Sequence, residues 1–466
     1  MQIPILSGVY TDNGPDMRLA YPVNLMPTPT KTGISAGYHR PADGLVAVGL
    51  GSGVGRGGIE WRGILYRVMG SRFVFISAAG DVIDIGEVGE GGPVTFTYGF
   101  DYLAVISNGN AYLYDGITLA QIVDVDLGVV VDGQWIDGYY LFTDGASLIV
   151  TELTDPFAIN PLKYGSSESD PDPVLAILRL RNEIYALNRN TIEAFDNIGG
   201  ALFPFQRIDG AKINKGTIGT HACCVFLETL AFVGGGRNEA PGVYLGVNAS
   251  ATKISTVEID RVLATFTEVQ LATTVVETRN GNDHSYLYIH LPDRTLVYDA
   301  TASQQLGDAV WMTLTTSLSG LGQYRGRYLV WCYDRWNVAD PSSFVVGILS
   351  SEVSSHYGQP VQWEFSTGIT YADGKGAIFN QLELVALTGR VALGEDPSIT
   401  TSHSADGMVF SQERSIKVGK IGERMKRLVW FRCGQMRHWR IQRFRGTSDA
   451  HVSFARLEVK IEGLAY

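Results

Sequence analysis

Residues 62–70, RGILYRVMG, contain a turn pair, Arg62-Gly63, followed by a short apolar strand that ends at a second glycine. A strand of this kind recurs along the chain after a similar turn. The six further copies are FDYLAVISN (100–108), DGYYLFTDG (137–145), RNEIYALNR (181–189), LETLAFVGG (227–235), DHSYLYIHL (283–291) and RGRYLVWCY (325–333). Apolar and aromatic residues fill these strands, which is typical of β-structure.

The spacing of these strands decides the fold class. Their second turn residues are Gly63, Asp101, Gly138, Asn182, Glu228, His284 and Gly326, which lie 37 to 56 residues apart. Paired strands at a period near 40–45 residues are typical of β-propeller blades, which bury their faces only when several stack around an axis. The pattern predicts an all-β chain with a propeller over 57–352, built from seven blades, or six if a terminal unit is atypical. A run of β-meanders in a sandwich is the alternative.

The segments on either side of the repeat lack its period. Residues 1–56 are rich in Gly, Pro and Asn, and their prolines remove backbone donors. This composition predicts an extended N-terminal arm, which we expect to become ordered on a neighbouring copy. Residues 353–466 contain alternating stretches such as FNQLELVAL (379–387), which predict an antiparallel, sandwich-like domain. Residues 257–270 are the best helical candidate.

Composition agrees with many short strands and limits the cellular setting. The 466 residues include 54 glycines but only 17 prolines, as expected for tight turns. The four cysteines form no CxxC pair, which predicts reduced thiols and neither a disulfide framework nor a zinc site. The first residues show no basic region before an apolar run, and no long apolar stretch follows, so we expect no signal peptide and no membrane span.

Motifs for catalysis or cofactor binding are incomplete. GxGxxG at Gly53, Gly55 and Gly58 precedes a strand pattern, which favours a flexible hinge over a dinucleotide site. The eight histidines show no metal-ligand spacing. SADGMVF, residues 404–410, resembles the Asp-box turn of sialidase propellers, but a glycosidase also needs two facing carboxylates, and the acidic residues show no pattern that reveals them. We therefore predict no catalytic residue, no metal and no cofactor.

Charge is distributed unevenly. The net charge is −11, whereas residues 414–445 hold eleven basic residues and one acidic residue, Glu423. Aromatic residues interleave with the cations, so these strands can bury a row of rings and present guanidinium groups to phosphates or carboxylates. DNA phosphates, the acidic surface of a neighbouring subunit, or a solvated face with stacked arginine stems all fit. The candidate contact residues are Arg424, Lys426, Arg427, Arg432, Arg437, Arg440, Arg443 and Arg445.

An ordered set of motifs resembles a known family. The motifs are MRLAYPVNLMP (17–27), SAGYHRPADGL (35–45), HLPDRTLVYDA (290–300), SSHYGQPVQWEFSTG (354–368), FNQLELVAL, and SADGMVF followed by the basic strands. Together they resemble the tail hub proteins of short-tailed bacteriophages, also called packaged-DNA stabilisation, head-completion or nozzle proteins. The stretch Trp430–Arg437 departs from the family's pattern, which leaves open which arginine makes which contact. The resemblance also suggests Tyr21, Pro22, Asn24, Tyr38 and Arg40 as residues that dock the arm.

The resemblance implies a structural virion protein at the tail vertex, assembled in the host bacterial cytoplasm. It implies a homohexamer below the portal and adaptor ring that closes the capsid after packaging and forms part of the DNA ejection channel. The implied partners are portal and adaptor proteins, a tail needle or distal plug, tailspikes or fibres, and double-stranded DNA, with no small-molecule substrate. The residues leave two alternatives, a propeller glycoside hydrolase or depolymerase and a generic propeller interaction scaffold.

Overall fold

Antiparallel hairpins with tight turns build most of the chain. The computed structural model describes residues 1–11, 16–31, 33–200, 202–281, 283–371 and 375–464. In it the turns Arg62-Gly63, Asp137-Gly138 and Tyr333-Asp334 have positive φ at both positions. This is the type I′ geometry, whose twist matches that of the flanking strands, so each turn directs its strands into a tight hairpin.

The first fifty residues supply strands to three different sheets. The strands are β1 (Gln2–Ile3), β2 (Gly8–Thr11), β3 (Met17–Ala20), β4 (Leu25–Pro29), β5 (Gly37–Pro41) and β6 (Gly44–Leu50). β2 and β3 form a hairpin, β1, β4 and β5 join a sheet of the C-terminal domain, and β6 joins the last blade of the propeller.

The propeller has seven blades, and blades 1 to 6 are consecutive in the chain. Blade 1 is β7 (Gly55–Trp61), β8 (Ile64–Met69), β9 (Arg72–Ile76) and β10 (Val82–Glu87). Blade 2 is β11 (Thr95–Tyr98), β12 (Leu103–Ser107), β13 (Asn110–Tyr114) and β14 (Leu119–Gln121). Blade 3 is β15 (Asp132–Ile136), β16 (Tyr139–Thr143), β17 (Ser147–Thr151) and β18 (Ile159–Ser166). Blade 4 is β19 (Val174–Leu180), β20 (Glu183–Asn188), β21 (Ile192–Asn197) and β22 (Phe205–Arg207).

The remaining blades include one split strand and one borrowed strand. Blade 5 is β23 (Gly216–Thr217) and β24 (Cys223–Phe226), which both pair with β25 (Thr229–Gly235), then β26 (Gly242–Val247) and β27 (Ser250–Lys253). Blade 6 is β28 (Val275–Gly281), β29 (His284–His290), β30 (Thr295–Asp299) and β31 (Val310–Leu314). Blade 7 is β32 (Arg327–Cys332), β33 (Arg335–Ala339) and β34 (Val345–Ser350), completed by β6.

Apolar contacts between blades close the ring. Every pair of neighbouring blades shares one buried cluster, including the pair formed by blades 7 and 1, where Leu65 and Val74 pack with Val330 and Val346. The outermost strand of blade 7 comes from the start of the chain, since Val46 of β6 pairs with Ile348 of β34. The two ends of the propeller sequence are therefore fastened within one sheet.

Two expectations about the repeat need correction. In blades 1 to 6 the recurring strand is the strand after the first hairpin turn, but in blade 7 it is the first strand, β32, so the turn falls at Tyr333-Asp334 rather than at Gly326. The glycine run is no flexible hinge either. A Cβ on Gly53 would lie 2.6 Å from the Cα of Gly70, and one on Gly55 would lie 2.3 Å from the Cβ of Ala339. These glycines allow close packing where the ring closes.

The C-terminal domain is a β-sandwich. Its strands are β35 (Gln362–Ser366), β36 (Thr370–Tyr371), β37 (Ala377–Leu387), β38 (Ser398–Ser404), β39 (Arg414–Lys417), β40 (Leu428–Phe431), β41 (Gln435–Met436), β42 (Trp439–Thr447) and β43 (Ser453–Gly463). One sheet has the order β4-β5-β43-β37-β40, with β1 beside β43 and β41 beside β37; the other has the order β35-β42-β38-β39, with β36 beside β42. Ile3, Ile5 and Leu25 of the arm belong to the core between them.

The arm thus packs on its own chain, and the expectation that it becomes ordered on a neighbour is wrong for its described residues. Its prolines do not prevent pairing, because Pro27 and Pro29 lie in β4, the edge strand of its sheet, where missing donors are tolerated. The helical candidate is confirmed as α1 (Val257–Ala264) and α2 (Glu268–Leu271). A third helix, α3 (Ala300–Leu306), begins where the Asp299 carboxylate accepts a hydrogen bond from the Ala302 amide.

Candidate assembly surfaces

The segment 21–24 joins the arm, the propeller and the sandwich. The amide of Val23 donates to the carbonyl of Glu364 at 2.9 Å, and the amide of Asn24 donates to the carbonyl of Thr313 at 2.8 Å. In return, the carbonyl of Pro22 accepts from the Thr313 amide at 2.9 Å. The backbone of the arm is therefore a shared strand between blade 6 and the sandwich.

Asn24 ties the same three parts through its side chain. Its Nδ2 donates to the carbonyls of Thr315 and Gln362 at 2.9 and 2.7 Å, and its Oδ1 accepts from the Thr315 amide at 3.0 Å. The residue is buried and has a φ of 51°, a conformation that asparagine tolerates better than most residues. Nearby, the hydroxyls of Tyr21 and Thr256 lie 2.5 Å apart.

A buried ion cluster fixes the second half of the arm to blade 6. The Asp43 carboxylate pairs with Arg40 at 2.9 Å and with Arg279, which also donates to the Tyr288 hydroxyl. Burial raises the pKa of Asp43, but the two guanidinium groups outweigh it, so the net pKa lies below its ordinary value. Tyr38, in contrast, lies half-buried in β5 opposite Thr28 of the arm itself.

The structure does not bring the eight candidate basic residues together. Arg440 is almost fully buried, with its guanidinium 4.3 Å from the centre of the Phe379 ring and its Nε and Nη2 donating to Oε1 of Gln442 at 3.1 and 2.9 Å. Burial lowers the pKa of Arg440 to about 10. This side chain is part of the sandwich interior.

Arg443 and Arg445 are engaged within the chain. The Nε of Arg445 lies 3.0 Å from Oε2 of Glu364, and its Nη1 lies 2.9 Å from Oε1 of Glu413. Arg443 stacks over Phe410, with its Cζ 4.0 Å from the ring centre, and lies 3.6 Å from Glu413. Both cations are thereby largely neutralised by the sandwich.

The remaining five candidates, Arg424, Lys426, Arg427, Arg432 and Arg437, are exposed. Four of them follow β39 or flank β40. In the first sheet of the sandwich, β4 at one end contacts β31 of blade 6, so β40 at the other end is the strand farthest from the propeller. In the second sheet, β39 is likewise the end strand, opposite to β35. We call the surface of residues 414–432 the basic edge.

The basic edge also exposes apolar side chains. Ile421, Met425 and Phe431 are 53, 94 and 61% exposed. Only part of its charge is neutralised, since Arg427 pairs with Glu383 at 2.7 Å whereas Lys426 lies 3.9 Å from Glu423. Exposed apolar groups among cations are typical of a surface that another molecule covers.

An opposite charge covers blades 2 and 3. Residues 95–172, which we call the acidic flank, contain twelve carboxylates, of which Asp132 is buried, and a single cation, Lys163, which pairs with Glu152 at 2.6 Å. A charge count per blade detects this excess in the sequence, although it reveals no pair of facing carboxylates. The flank also exposes Val123, Val125 and Leu162, by 87, 97 and 71%.

The central channel of the propeller is narrow and slightly acidic. A cavity of about 340 Å³ touches side chains from all seven blades, including Asp132, His221 and Glu277, and none of its described lining residues is Lys or Arg. The Thr95 hydroxyl and the Ile177 amide each donate to the Asp132 carboxylate at 2.7 Å, yet burial raises its pKa to about 7. A cavity of this size suits a small molecule at most.

Within the described ranges, no group of three or more His, Cys, Asp or Glu side chains is placed to hold a metal ion. Asp406 of the Asp-box-like turn is occupied structurally, because its Oδ1 accepts from the amides of Met408 and Val409 at 2.9 and 2.8 Å. Of the helices that the structure describes, none is long and apolar enough to cross a membrane.

The structure thus combines a closed seven-bladed propeller with a β-sandwich, and the arm joins the two. The chain belongs to the bacteriophage P22 Gp10 family: the family model described as its β-propeller matches residues 1–354, and the model described as its β-sandwich matches residues 362–462. The predicted family and fold class are thereby confirmed.

One characterised relative aligns over the full length. The chain is 29% identical to the tail hub protein gp10 of Salmonella phage P22 over 485 aligned positions, which cover 99% of each protein. Solved propellers are more distant. The WD40 domain of Neurospora crassa Pan2 is 10% identical, with a TM-score of 0.42 over 66% of this chain and 95% of that one; the N-terminal domain of Nup159 is 9% identical, with a TM-score of 0.42 over 69% and 97%.

Proposed function

We propose that the chain is a structural, non-enzymatic tail hub protein in the virion of a short-tailed bacteriophage. The observation that carries this proposal is the match of both domains, in order, to one family, together with a full-length relative that is named a tail hub protein. The contacts of Asn24 and Asp43 fit the role, because they join the two domains through the arm.

In finer detail, we propose that six copies form a ring at the tail vertex, below the portal and adaptor ring. The ring closes the capsid after packaging, carries a tail needle or distal plug and adjoins tailspikes or fibres. It assembles in the host bacterial cytoplasm and becomes part of the ejection channel.

The charge distribution supports a channel that DNA can slide through. A chain of net charge −11 repels phosphates over most of its surface, so DNA is held without tight binding. Because the propeller channel encloses only about 340 Å³, we place the DNA path on the axis of the ring and not through any single propeller.

The proposal is tested with particles assembled in cells that lack this chain. We expect such particles to package DNA and then lose it, which is measured as nuclease-sensitive DNA per capsid, and we expect the chain supplied in trans to restore protection. Particles that keep nuclease-resistant DNA and infect normally without the chain would contradict the proposed function.

A further inference from the structure

We infer that neighbouring copies in the ring join through the basic edge of one sandwich and the acidic flank of the next propeller. This inference rests on the proposed ring. It identifies a second copy of this chain as the partner that covers the exposed residues of both surfaces. Opposite charges suit such a contact, since residues 414–432 contain seven cations against one carboxylate, whereas residues 95–172 contain one cation against twelve carboxylates, of which only Asp132 lies in the channel.

The two surfaces lie on opposite sides of the molecule. The sandwich attaches at the segment between blades 6 and 7, because the amide of Gln362 in β35 donates to the carbonyl of Ser317 at 2.9 Å and β4 contacts β31 of blade 6. In a ring of seven blades, the point between blades 6 and 7 lies directly across from blade 3, which lies within the acidic flank. The basic edge adds to this separation, because it is the side of the sandwich remote from the propeller.

Complementary surfaces on opposite sides give a head-to-tail contact. Such a contact is heterologous, so each copy uses both surfaces and repeated contacts produce a closed ring when the rotation closes. A contact of one surface with itself would pair copies and leave the other surface uncovered. The placement of the two surfaces therefore favours the ring over an isolated dimer.

Apolar groups can form the centre of this contact. Val123, Val125 and Val129 are exposed on a loop that is firmly held, because the amides of Ile122 and Val130 donate to the carbonyls of Ala111 and Gly109 at 2.9 Å each. Ile421 and Met425 offer matching apolar area on the basic edge. Apolar centres surrounded by polar groups are the usual anatomy of protein interfaces.

Double-stranded DNA is the competing partner for the basic edge. Phosphates would pair with Arg424 and Lys426, but they would leave Met425 exposed between them and would give the acidic flank no partner. Pairing between copies covers both surfaces at once, which is why we favour it.

The test uses charge reversals at three exposed positions and at the half-buried Asp126, in virions that contain only the variant chain. The basic-edge variant carries Arg424→Glu and Lys426→Glu, the acidic-flank variant carries Asp126→Lys and Glu168→Lys, and a third chain carries all four. The matched control reverses two exposed cations elsewhere, Lys31→Glu and Arg181→Glu. Complete rings are counted by electron microscopy of tail vertices, and thermal denaturation of each purified chain checks that it folds.

We expect each two-residue reversal to reduce complete rings at least about tenfold, because like charges then face each other across every contact. The four-residue chain should restore rings to near the unmodified level, and the control should match the unmodified chain. Full rings with either reversal alone, or no rescue by the four-residue chain, would overturn the inference. Complete rings that leak DNA in the basic-edge variant would also overturn it, in favour of DNA contact. If unmodified virions carry no ring of this chain, the proposed function itself fails.

Discussion

Replacing Asn24 with alanine tests whether one arm residue holds the propeller and the sandwich together. The substitution removes three buried hydrogen bonds, two from Nδ2 to the carbonyls of Thr315 and Gln362 and one from the Thr315 amide to Oδ1. At about 1 kcal/mol net for each bond, the loss is about 3 kcal/mol. Alanine at a φ of 51° adds roughly 1 kcal/mol of strain. We therefore expect Asn24→Ala to lower the free energy of unfolding by about 4 kcal/mol.

Urea unfolding followed by tryptophan fluorescence measures this change. Trp311 in blade 6 and Trp363 in the sandwich lie on opposite sides of the junction, so both domains contribute to the signal. Asn24→Asp is the matched control, because aspartate tolerates positive φ but turns two donated hydrogen bonds into repulsion between oxygens. We expect it to be at least as destabilising as alanine. A loss below about 1 kcal/mol in Asn24→Ala, or a stable aspartate variant, would refute the role assigned to these hydrogen bonds.

Three further predictions concern buried charged groups. Because Arg440 is buried, Arg440→Glu should destabilise the sandwich by about 3 kcal/mol or more in thermal denaturation. Arg437→Glu, at an exposed position, should change stability by less than about 0.5 kcal/mol, and equal effects of the two substitutions would contradict the burial of Arg440. Asp43→Ala should cost about 3–5 kcal/mol in urea unfolding by leaving Arg279 unpaired and buried, and a neutral result would exclude that ion pair. Asp132 has a pKa raised from 3.8 to about 7, so the folded state retains a proton that the unfolded state releases, and stability falls as the pH rises between these values. In Asp132→Asn, whose side-chain amide can still bond Thr95 and the Ile177 amide, this fall in stability should disappear. An unchanged pH profile of stability would contradict the assignment.

The propeller could be predicted because its information is local. Each hairpin repeats a turn and an apolar strand, and the spacing of six repeats reveals the blades. Blade 7 is different because it takes its outer strand from the arm, and no local pattern shows that Val46 pairs with Ile348. The offset of its turn and the folding of the arm onto its own chain both follow from this distant pairing.

The candidate surface was predictable only in part, because the count of cations in residues 414–445 ignored which side of each strand they occupy. Successive side chains of a strand point to opposite faces, so Arg440 lies on the same face of β42 as Phe444, whose ring is in the sandwich core. Alternation could have assigned Arg440 to the interior. The pairing of Arg445 with Glu364 and Glu413 joins separate strands and loops, and only the folded structure reveals it.

The central claim is that this chain is one unit of a ring at a viral DNA exit. Electron cryomicroscopy of the virion's tail vertex tests this claim most directly. The account predicts six copies in a closed ring below the portal, with DNA on the ring axis and each basic edge against the acidic flank of the next propeller. The account would be contradicted if the vertex showed no density for this chain, or showed only isolated copies that enclose no axis.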